Sequence, residues 1–257
     1  MSFTPLPSTA ELAHRLGASA HSCAIISSEQ IAPSVREVVL GGGALELTGF
    51  PGQDVMVRVE AADERFVRRR YSVRHVDGAA DRFTLWVTTE HDGPGSNWAR
   101  AIIPGDHVDV IGPRGKIGLA PDVDWHLIVG DASALASAYR LAESVRPPGR
   151  VTVVIQVDDA ADMLTTTPAE GVEMDGVFVE RRGRDLHDAG GLIDALAAVH
   201  LPPGAGHAYL FGEFAVVKTL RAVLSDRGLS EDEVSHKSYW RAGRDNADHG
   251  EPVKDED

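Results

Sequence analysis

Four arginines lie close together in a chain that is otherwise acidic, and they are well suited to binding a charged ligand. Residues 68–74 have the sequence RRRYSVR, whereas the whole chain of 257 residues has a net charge of −14. Arginine pairs with phosphate oxygens through two parallel hydrogen bonds and stays charged at any working pH. Tyr71 offers a flat aromatic face, and the Ser72 hydroxyl can donate to or accept from a ring nitrogen. Together these side chains suit a planar, phosphorylated ligand.

The arginine segment has the composition of a β-strand, in which side chains alternate between two faces. One face would carry Arg69, Tyr71 and Val73, and the other Arg70, Ser72 and Arg74. Such a strand is suited to holding an anion. It is also found in charged edge strands that prevent a sheet from pairing with a second molecule. The segment alone leaves both interpretations open.

A second segment that suits an anion follows at residues 91–99, with the sequence HDGPGSNWA. Gly93 and Gly95 permit a close approach of the backbone, and Ser96 and Asn97 fit the start of a short helix. The free amide groups at such a start form an anion site. A Gly-Pro-Gly tripeptide is most often a plain turn, so this interpretation depends on its position after the arginine segment.

The elements that must position these segments differ between the two halves of the chain. Short β-rich runs, separated by Gly, Pro and Asp, extend to about Leu119, and this spacing is typical of an antiparallel barrel or sandwich. After Pro121, apolar strands alternate with helices, which predicts a parallel sheet covered on both faces. We expect an antiparallel β-barrel domain at residues 1–120, an α/β domain at 121–245 and an acidic flexible tail at 246–257.

Composition argues against several classes of function. A net charge of −14 repels the phosphate backbone, so we expect no nucleic-acid partner. No apolar run approaches the roughly 18 residues of a membrane span, and the first residues do not resemble a signal peptide. The single cysteine, Cys23, argues against a disulfide framework and a multi-cysteine metal site. We expect a cytoplasmic monomer without a resident metal.

The motifs resemble one family of flavoproteins. Arg69-x-Tyr71-Ser72-x-Arg74, followed by Gly-Pro-Gly-Ser-x-Trp-Ala at 93–99, is similar to the siderophore-interacting proteins of the ferredoxin-reductase superfamily. The resemblance spans roughly residues 22 to 243. Its other parts, in order, are Gly112-Pro113-Arg114-Gly115, the run LIVGDASAL at 127–135, Gly212-Glu213 and Tyr239-Trp240-Arg241-x-Gly243. The resemblance implies an FAD-binding barrel followed by a nicotinamide-binding α/β domain.

Carried over residue by residue, the resemblance implies a flavin site. Arg69 would pair with the FAD pyrophosphate, and Arg74 would support the ribityl or phosphate side. Tyr71 would stack on the isoalloxazine and the Ser72 hydroxyl would approach its N5 atom, so these two are the predicted catalytic residues. The predicted FAD-binding residues are Arg69, Tyr71, Ser72, Val73, Arg74, Gly93, Gly95, Ser96, Asn97 and Trp98. The role of His91 stays open.

The electron donor implied by the resemblance is NADPH or NADH, although some relatives use a ferredoxin. The first strand of the α/β domain ends in Gly-Asp-Ala-Ser rather than in a glycine-rich phosphate motif, so Asp131 and Ser133 are the predicted residues near the nicotinamide. Three arginines further along the chain suit a 2′-phosphate, or else form a solvated loop. They are Arg181, Arg182 and Arg184.

The implied partner is a ferric siderophore, and the implied reaction is its reduction with release of Fe(II). Arg58, Lys237 and Arg241 are the predicted substrate-binding residues, because basic side chains attract an anionic chelate; the alternative is that each is a solvated surface charge. Two other functions stay open at this point: a general flavin or ferredoxin-type reductase with another acceptor, and a siderophore-binding module without catalysis.

Overall fold

A computed structural model of the chain describes residues 8–42, 47–60, 66–115 and 117–243. The predicted acidic tail, 246–257, lies outside these residues. The chain divides into two compact units, Met1–Ile31 with Arg36–Lys116, and Ala32–Val35 with Ile117–Asp257. The sequence placed the domain boundary between residues 120 and 121, and that limit stays a prediction.

The first unit contains a closed barrel of six strands in the order β1-β2-β5-β4-β3-β6. The strands are β1 Ser19–Ala32, β2 Val35–Gly41, β3 Asp54–Glu60, β4 Phe66–Asp77, β5 Arg82–Thr88 and β6 His107–Arg114. Alternating apolar side chains from every strand meet inside the barrel, among them Val38, Val57, Leu85 and Val110. Closure pairs both edges of the sheet, so no barrel strand is left as an edge.

Two helices accompany the barrel. Helix α1, Thr9–Arg15, begins with a capping box in which the Ser8 hydroxyl accepts from the Glu11 amide and the Glu11 carboxylate accepts from the Ser8 amide. Helix α2, Pro94–Ala101, lies between β5 and β6 and buries Gly95 and Ala99. Proline at the first helical position costs nothing, because its missing N–H would have no partner inside the helix.

The second unit contains a five-stranded parallel sheet in the order β11-β10-β7-β8-β9. Its strands are β7 Trp125–Asp131, β8 Gly149–Val157, β9 Val172–Glu180, β10 Gly206–Glu213 and β11 Val234–Trp240, and its helices are α3 Leu135–Ser144, α4 Gly190–Ala198 and α5 Phe214–Asp226. Every residue of β7 is buried, as expected where both faces of a parallel sheet are covered. Leu127 and Leu210 pack in one core with Leu192 of α4 and Leu220 of α5.

The predicted fold class, an antiparallel barrel followed by a parallel-sheet α/β domain, is confirmed. The sequence did not predict α1 or β11. Strand β11 has the sequence VSHKSYW, an edge strand with no fully buried residue, so it lacks the apolar run by which the inner strands were identified. No helix among the described residues is long and apolar enough to cross a bilayer.

Candidate functional site

The arginine strand β4 turns one of its faces towards the barrel core. Tyr71 lies directly opposite Val55 of β3, and Arg69 opposite Val57. Both valines are fully buried, and residues directly opposite each other in an antiparallel pair share a face. Tyr71 itself packs against the core cluster. Arg69 and Tyr71 therefore occupy the same side of the sheet, as the alternation predicted.

Helix α2 brings the second predicted segment against this face. The Trp98 ring stacks on the Tyr71 ring, with centroids 5.8 Å apart and planes 27° from parallel. A Cβ atom on Gly95 would lie 2.5 Å from the Tyr71 hydroxyl oxygen and 3.3 Å from Cγ of Arg69. Only glycine permits this approach, so the structure joins the two motifs, which are separate in sequence, into one cluster.

The start of α2 fits the phosphate groups of a dinucleotide. Gly93 precedes the helix and no described side chain caps its first turn, which leaves amide groups there for an anion. The Ser96 hydroxyl donates to the carbonyl of Thr88 at 3.1 Å, so Ser96 can reach an anion through its backbone amide. The Asn97 amide donates to the carbonyl of Gly93 within the helix. Cγ of Arg69 lies beside Gly95, and the Arg69 guanidinium donates to the carbonyl of Arg68 at 3.0 Å.

Burial raises the pKa of Tyr71 well above its ordinary value, and the nearby Arg69 guanidinium opposes that shift only in part. The phenol therefore keeps its proton at any working pH and acts as a hydrogen-bond donor. The stacked Trp98 ring restricts the Tyr71 ring to one plane, as a platform for a flat cofactor ring must be.

The opposite face of β4 is organised differently. The Arg74 guanidinium lies over the Trp86 ring of β5, 4.7 Å from its centroid, and the Trp86 indole donates to Glu37. A register irregularity between Val73 and His75 falls at Arg74.

Ser72 lies opposite Asp54 of β3. The flavin roles of Ser72, Val73 and Arg74 stay predictions, as do those of the other predicted FAD-binding residues. The role of His91, whose Nε2 lies 2.9 Å from Glu90 Oε1, stays open.

In the second unit, the predicted nicotinamide residues lie at the carboxyl edge of the parallel sheet, where ligands of such sheets bind. Asp131 ends β7 and is 5% exposed. Its Oδ1 accepts from the amide and the hydroxyl of Ser133. Its Oδ2 accepts from the Glu213 amide and the Trp240 indole, each at 2.9 Å. The two predicted residues are thus neighbours that bond to each other.

Glu213 is a second buried carboxylate at this edge, and the sequence identified it only as part of a motif. It is 1% exposed and caps α5, because its Oε2 accepts from the amides of Ala215 and Val216. Its Oε1 accepts from the Ala242 amide at 3.3 Å and lies 3.3 Å from Nδ1 of His187. A buried acidic residue directly before a helix is a capping pattern that the sequence could have revealed.

The three arginines after β9 are not equivalent. Arg181 is 4% exposed, and its guanidinium lies 2.6 Å from the Asp158 carboxylate. Arg182 pairs with Glu180 at 3.2 Å, and Arg184 lies 4.0 Å from Asp188. Burial raises the pKa of Asp158 although Arg181 opposes the shift. Arg181 is therefore committed to an internal pair, and the more exposed Arg182 and Arg184 are better placed for a phosphate.

The predicted substrate-binding residues all have neighbours of their own. Arg58 lies 3.1 Å from Asp109 and its guanidinium covers the Phe66 ring at 3.6 Å. Lys237 Nζ is 5.8 Å from the centre of the Tyr239 ring. Arg241 lies over the Phe214 ring at 4.7 Å. A siderophore role for these residues stays a prediction.

Two family models match the sequence. The siderophore-interacting FAD-binding domain matches residues 56–117, and the siderophore-interacting protein model matches residues 123–243. The chain belongs to the siderophore-interacting protein family. These matches confirm the resemblance inferred from the motifs, and with it FAD as the flavin cofactor.

Individual relatives agree with this assignment. An uncharacterized protein of Mycobacterium tuberculosis is 30% identical over 261 residues, covering 87% of this chain and 91% of the relative. Ferric vibriobactin reductase ViuB of Vibrio cholerae is 26% identical over 184 residues, covering 69% of this chain and 66% of ViuB. The crystal structure of a siderophore utilization protein from T. fusca superposes with a TM-score of 0.79 at 27% identity, covering 90% of this chain and 96% of that one.

Proposed function

We propose that this siderophore-interacting protein is a reductase that passes electrons from NADPH or NADH to a ferric siderophore in the cytoplasm and so releases Fe(II). The observation that carries the proposal is the cluster of Arg69, Tyr71, Gly95 and Trp98, which has the charge, the flat ring and the open helix start that FAD requires. Similarity to a ferric vibriobactin reductase supports the choice of acceptor.

When bound, FAD accepts two electrons as a hydride and releases them singly, which suits a one-electron acceptor such as Fe(III). The residues of this chain supply binding and orientation. Arg69 and the first turn of α2 would hold the pyrophosphate. Tyr71, backed by Trp98, would fix the plane of the flavin ring and offer it a hydroxyl proton. The sites of Arg58, Lys237 and Arg241 would attract an anionic chelate.

The decisive experiment is anaerobic reduction of the FAD-loaded protein by NADH and by NADPH in parallel, monitored by flavin absorbance. We expect bleaching by at least one nucleotide, followed by recovery of the oxidised spectrum when a ferric siderophore is added. Equal recovery with non-iron acceptors would favour a general flavin reductase. A protein that binds siderophore without any flavin reduction would instead be a binding module.

The flavin site itself is tested by Arg69→Ala, with Arg70→Ala on the opposite face of β4 as the matched control. A hydrogen bond to a charged group contributes about 1.5–3 kcal/mol, so loss of Arg69 should weaken FAD binding roughly 10- to 150-fold. Arg70→Ala should retain the flavin. Equal flavin content in the wild type and the Arg69→Ala variant would refute the assignment.

A further inference from the structure

One carboxylate joins the ends of three parallel strands in the second unit. Asp131 ends β7, and its Oδ2 accepts from the backbone amide of Glu213, which ends β10, and from the indole of Trp240, which ends β11. Its Oδ1 accepts from the amide and hydroxyl of Ser133 in the turn that leads into α3. The carboxyl edge of the sheet is thus organised around a single buried side chain.

The carboxylate of Asp131 is fully used by these bonds. Two oxygens offer about four lone-pair positions, and four donors from the protein occupy them. An ionised carboxylate has no proton to donate. Asp131 therefore has nothing left with which to contact a nucleotide directly, and any effect on the nucleotide must pass through the groups that it holds.

The neighbouring backbone is shaped to fit this side chain. Gly212 has φ +126°, and a Cβ atom there would lie 2.5 Å from Oδ2 of Asp131. The register of β10 with β11 shifts between Gly212 and Glu213, so that Glu213 lies opposite Trp240 while Gly212 lies opposite Ser238. Bulges of this kind redirect a side chain next to a functional site. Here the shift accompanies an indole that reaches across β10 to β7.

The end of β11 carries two aromatic residues, Tyr239 and Trp240, at the carboxyl edge of the sheet, where we propose that the nucleotide binds. The Tyr239 hydroxyl donates to Ser137 at 2.9 Å, and its ring stacks on Phe211 with centroids 5.3 Å apart. The Ala242 amide donates to Glu213. The end of β11 is therefore fixed through Tyr239 and Ala242, and the bond from Nε1 to Asp131 ties the Trp240 ring to the end of β7.

We propose that Asp131 is a positioning residue which, by holding the Trp240 indole at the carboxyl edge of the sheet, sets the affinity for the nicotinamide nucleotide. The inference rests on the proposed function, since it assumes that NADPH or NADH binds at this edge. It differs from direct recognition by Asp131, because the carboxylate acts through the ring.

The test uses Trp240→Phe, which keeps an aromatic ring but removes the indole N–H, together with Asp131→Asn and the double variant. Dissociation constants for NADP⁺ and NAD⁺, which cannot reduce the flavin, are measured by calorimetry on the full FAD-loaded protein. KM and kcat with NADPH and NADH, and the melting temperature, are recorded for each variant. Because a freed ring must be ordered again when the nucleotide binds, Kd and KM should rise roughly 2- to 12-fold for Trp240→Phe. Its kcat and flavin content should stay at the wild-type values.

The double variant separates a shared effect from two independent ones. If both residues act through the same bond, Asp131→Asn together with Trp240→Phe should raise Kd no further than the more damaging single change. The matched control is Tyr139→Phe, which removes a buried hydroxyl bond to the Leu164 carbonyl in the same unit. It should lower the melting temperature without changing Kd.

The outcomes are distinct. Wild-type Kd values in both Trp240→Phe and Asp131→Asn would overturn the inference while leaving the proposed reductase intact. A rise in Kd for Tyr139→Phe equal to that for Trp240→Phe would also overturn it, since general loosening would then explain the effect. If the wild-type protein bound neither nucleotide, both the inference and the nicotinamide part of the proposed function would fail.

Discussion

At the scale of single residues, the geometry of the candidate flavin site depends on how closely the Gly95 backbone approaches the Tyr71 side chain. Gly95 has no Cβ atom, and the Tyr71 hydroxyl oxygen lies 2.5 Å from the position that such an atom would take. Trp98, three residues further along α2, then stacks on the same ring. If Tyr71 stacks on the flavin as proposed, the site depends on the shape of this contact as much as on the arginine charge, because a displaced ring would no longer be parallel to the cofactor.

The residue-scale prediction is that Gly95→Ala weakens FAD binding. The added methyl group must displace Tyr71 or α2, and overpacking of this kind costs about 1–3 kcal/mol. We expect a lower melting temperature and at least a roughly fivefold loss of FAD affinity, measured by flavin retention during gel filtration and by fluorescence titration.

Gly78→Ala is the control for this change, since a Cβ atom at Gly78 meets nothing within 4 Å. It should match the wild type in both measurements. Normal flavin affinity in the Gly95→Ala variant would show that Tyr71 has room to move.

At the scale of elements, the ends of strands and helices in the second unit are tied together by buried carboxylates. Glu213 is the last residue of β10 and also the cap of α5, so a single side chain fixes where the strand stops and the helix begins. Since the cap is buried, water cannot replace it when it is lost.

The element-scale prediction is that Glu213→Ala destabilises the protein by about 1–2 kcal/mol, the usual cost of losing a helix cap. Urea unfolding followed by circular dichroism measures this change. The control is Glu231→Ala, whose exposed carboxylate lies 3.8 Å from Arg221 and should contribute less than about 1 kcal/mol. Equal stability of the two variants would contradict the capping role.

On the scale of the whole molecule, stability depends on pH through a buried histidine of the second unit. His126 is 7% exposed, and its Nδ1 lies 3.2 Å from the hydroxyl of Tyr209. Burial raises the pKa of Tyr209 to about 12, so the phenol keeps its proton, and the histidine tautomer decides which of the two groups donates. Burial, with His207 nearby, lowers the pKa of His126 to about 4.

This pKa difference predicts a loss of stability in acid. The unfolded chain takes up a proton on His126 at pH values below about 6.5, whereas the folded chain does so only near pH 4. The free energy of unfolding therefore falls as the pH is lowered from 6.5 to 4, and this histidine does not affect it above pH 6.5. The contribution is on the order of 3 kcal/mol at the acid end. His207, whose pKa is also lowered by burial although Glu233 opposes the shift, acts in the same direction.

The measurement is the free energy of unfolding at a series of pH values for the wild type and for His126→Gln. Glutamine keeps an acceptor for Tyr209 but does not titrate, so the slope between pH 6.5 and 4 should be shallower in the variant. Parallel slopes would mean that His126 titrates normally in the folded protein.

The sequence by itself determined the order of the two domains, because the change from short alternating strands to apolar strands between helices is a local property of the chain. It also predicted a ligand site at Arg69, Tyr71 and Gly95 from the chemistry of those residues, and a role for Trp98 from the family resemblance; these roles stay predictions. It missed β11, where an edge strand has no continuous apolar run.

Only the tertiary structure decided which of these residues meet. Gly95 and Tyr71 are apart in sequence, and their contact follows from the packing of α2 on the barrel.

The sequence treated Arg181, Arg182 and Arg184 alike, yet only Arg181 is buried against Asp158. Asp131 was predicted to lie near the nicotinamide, and the structure shows that its carboxylate accepts from donors at the ends of two other strands and in a turn. Which partner a polar group bonds to depends on chain segments brought together by folding, and no local pattern encodes that choice.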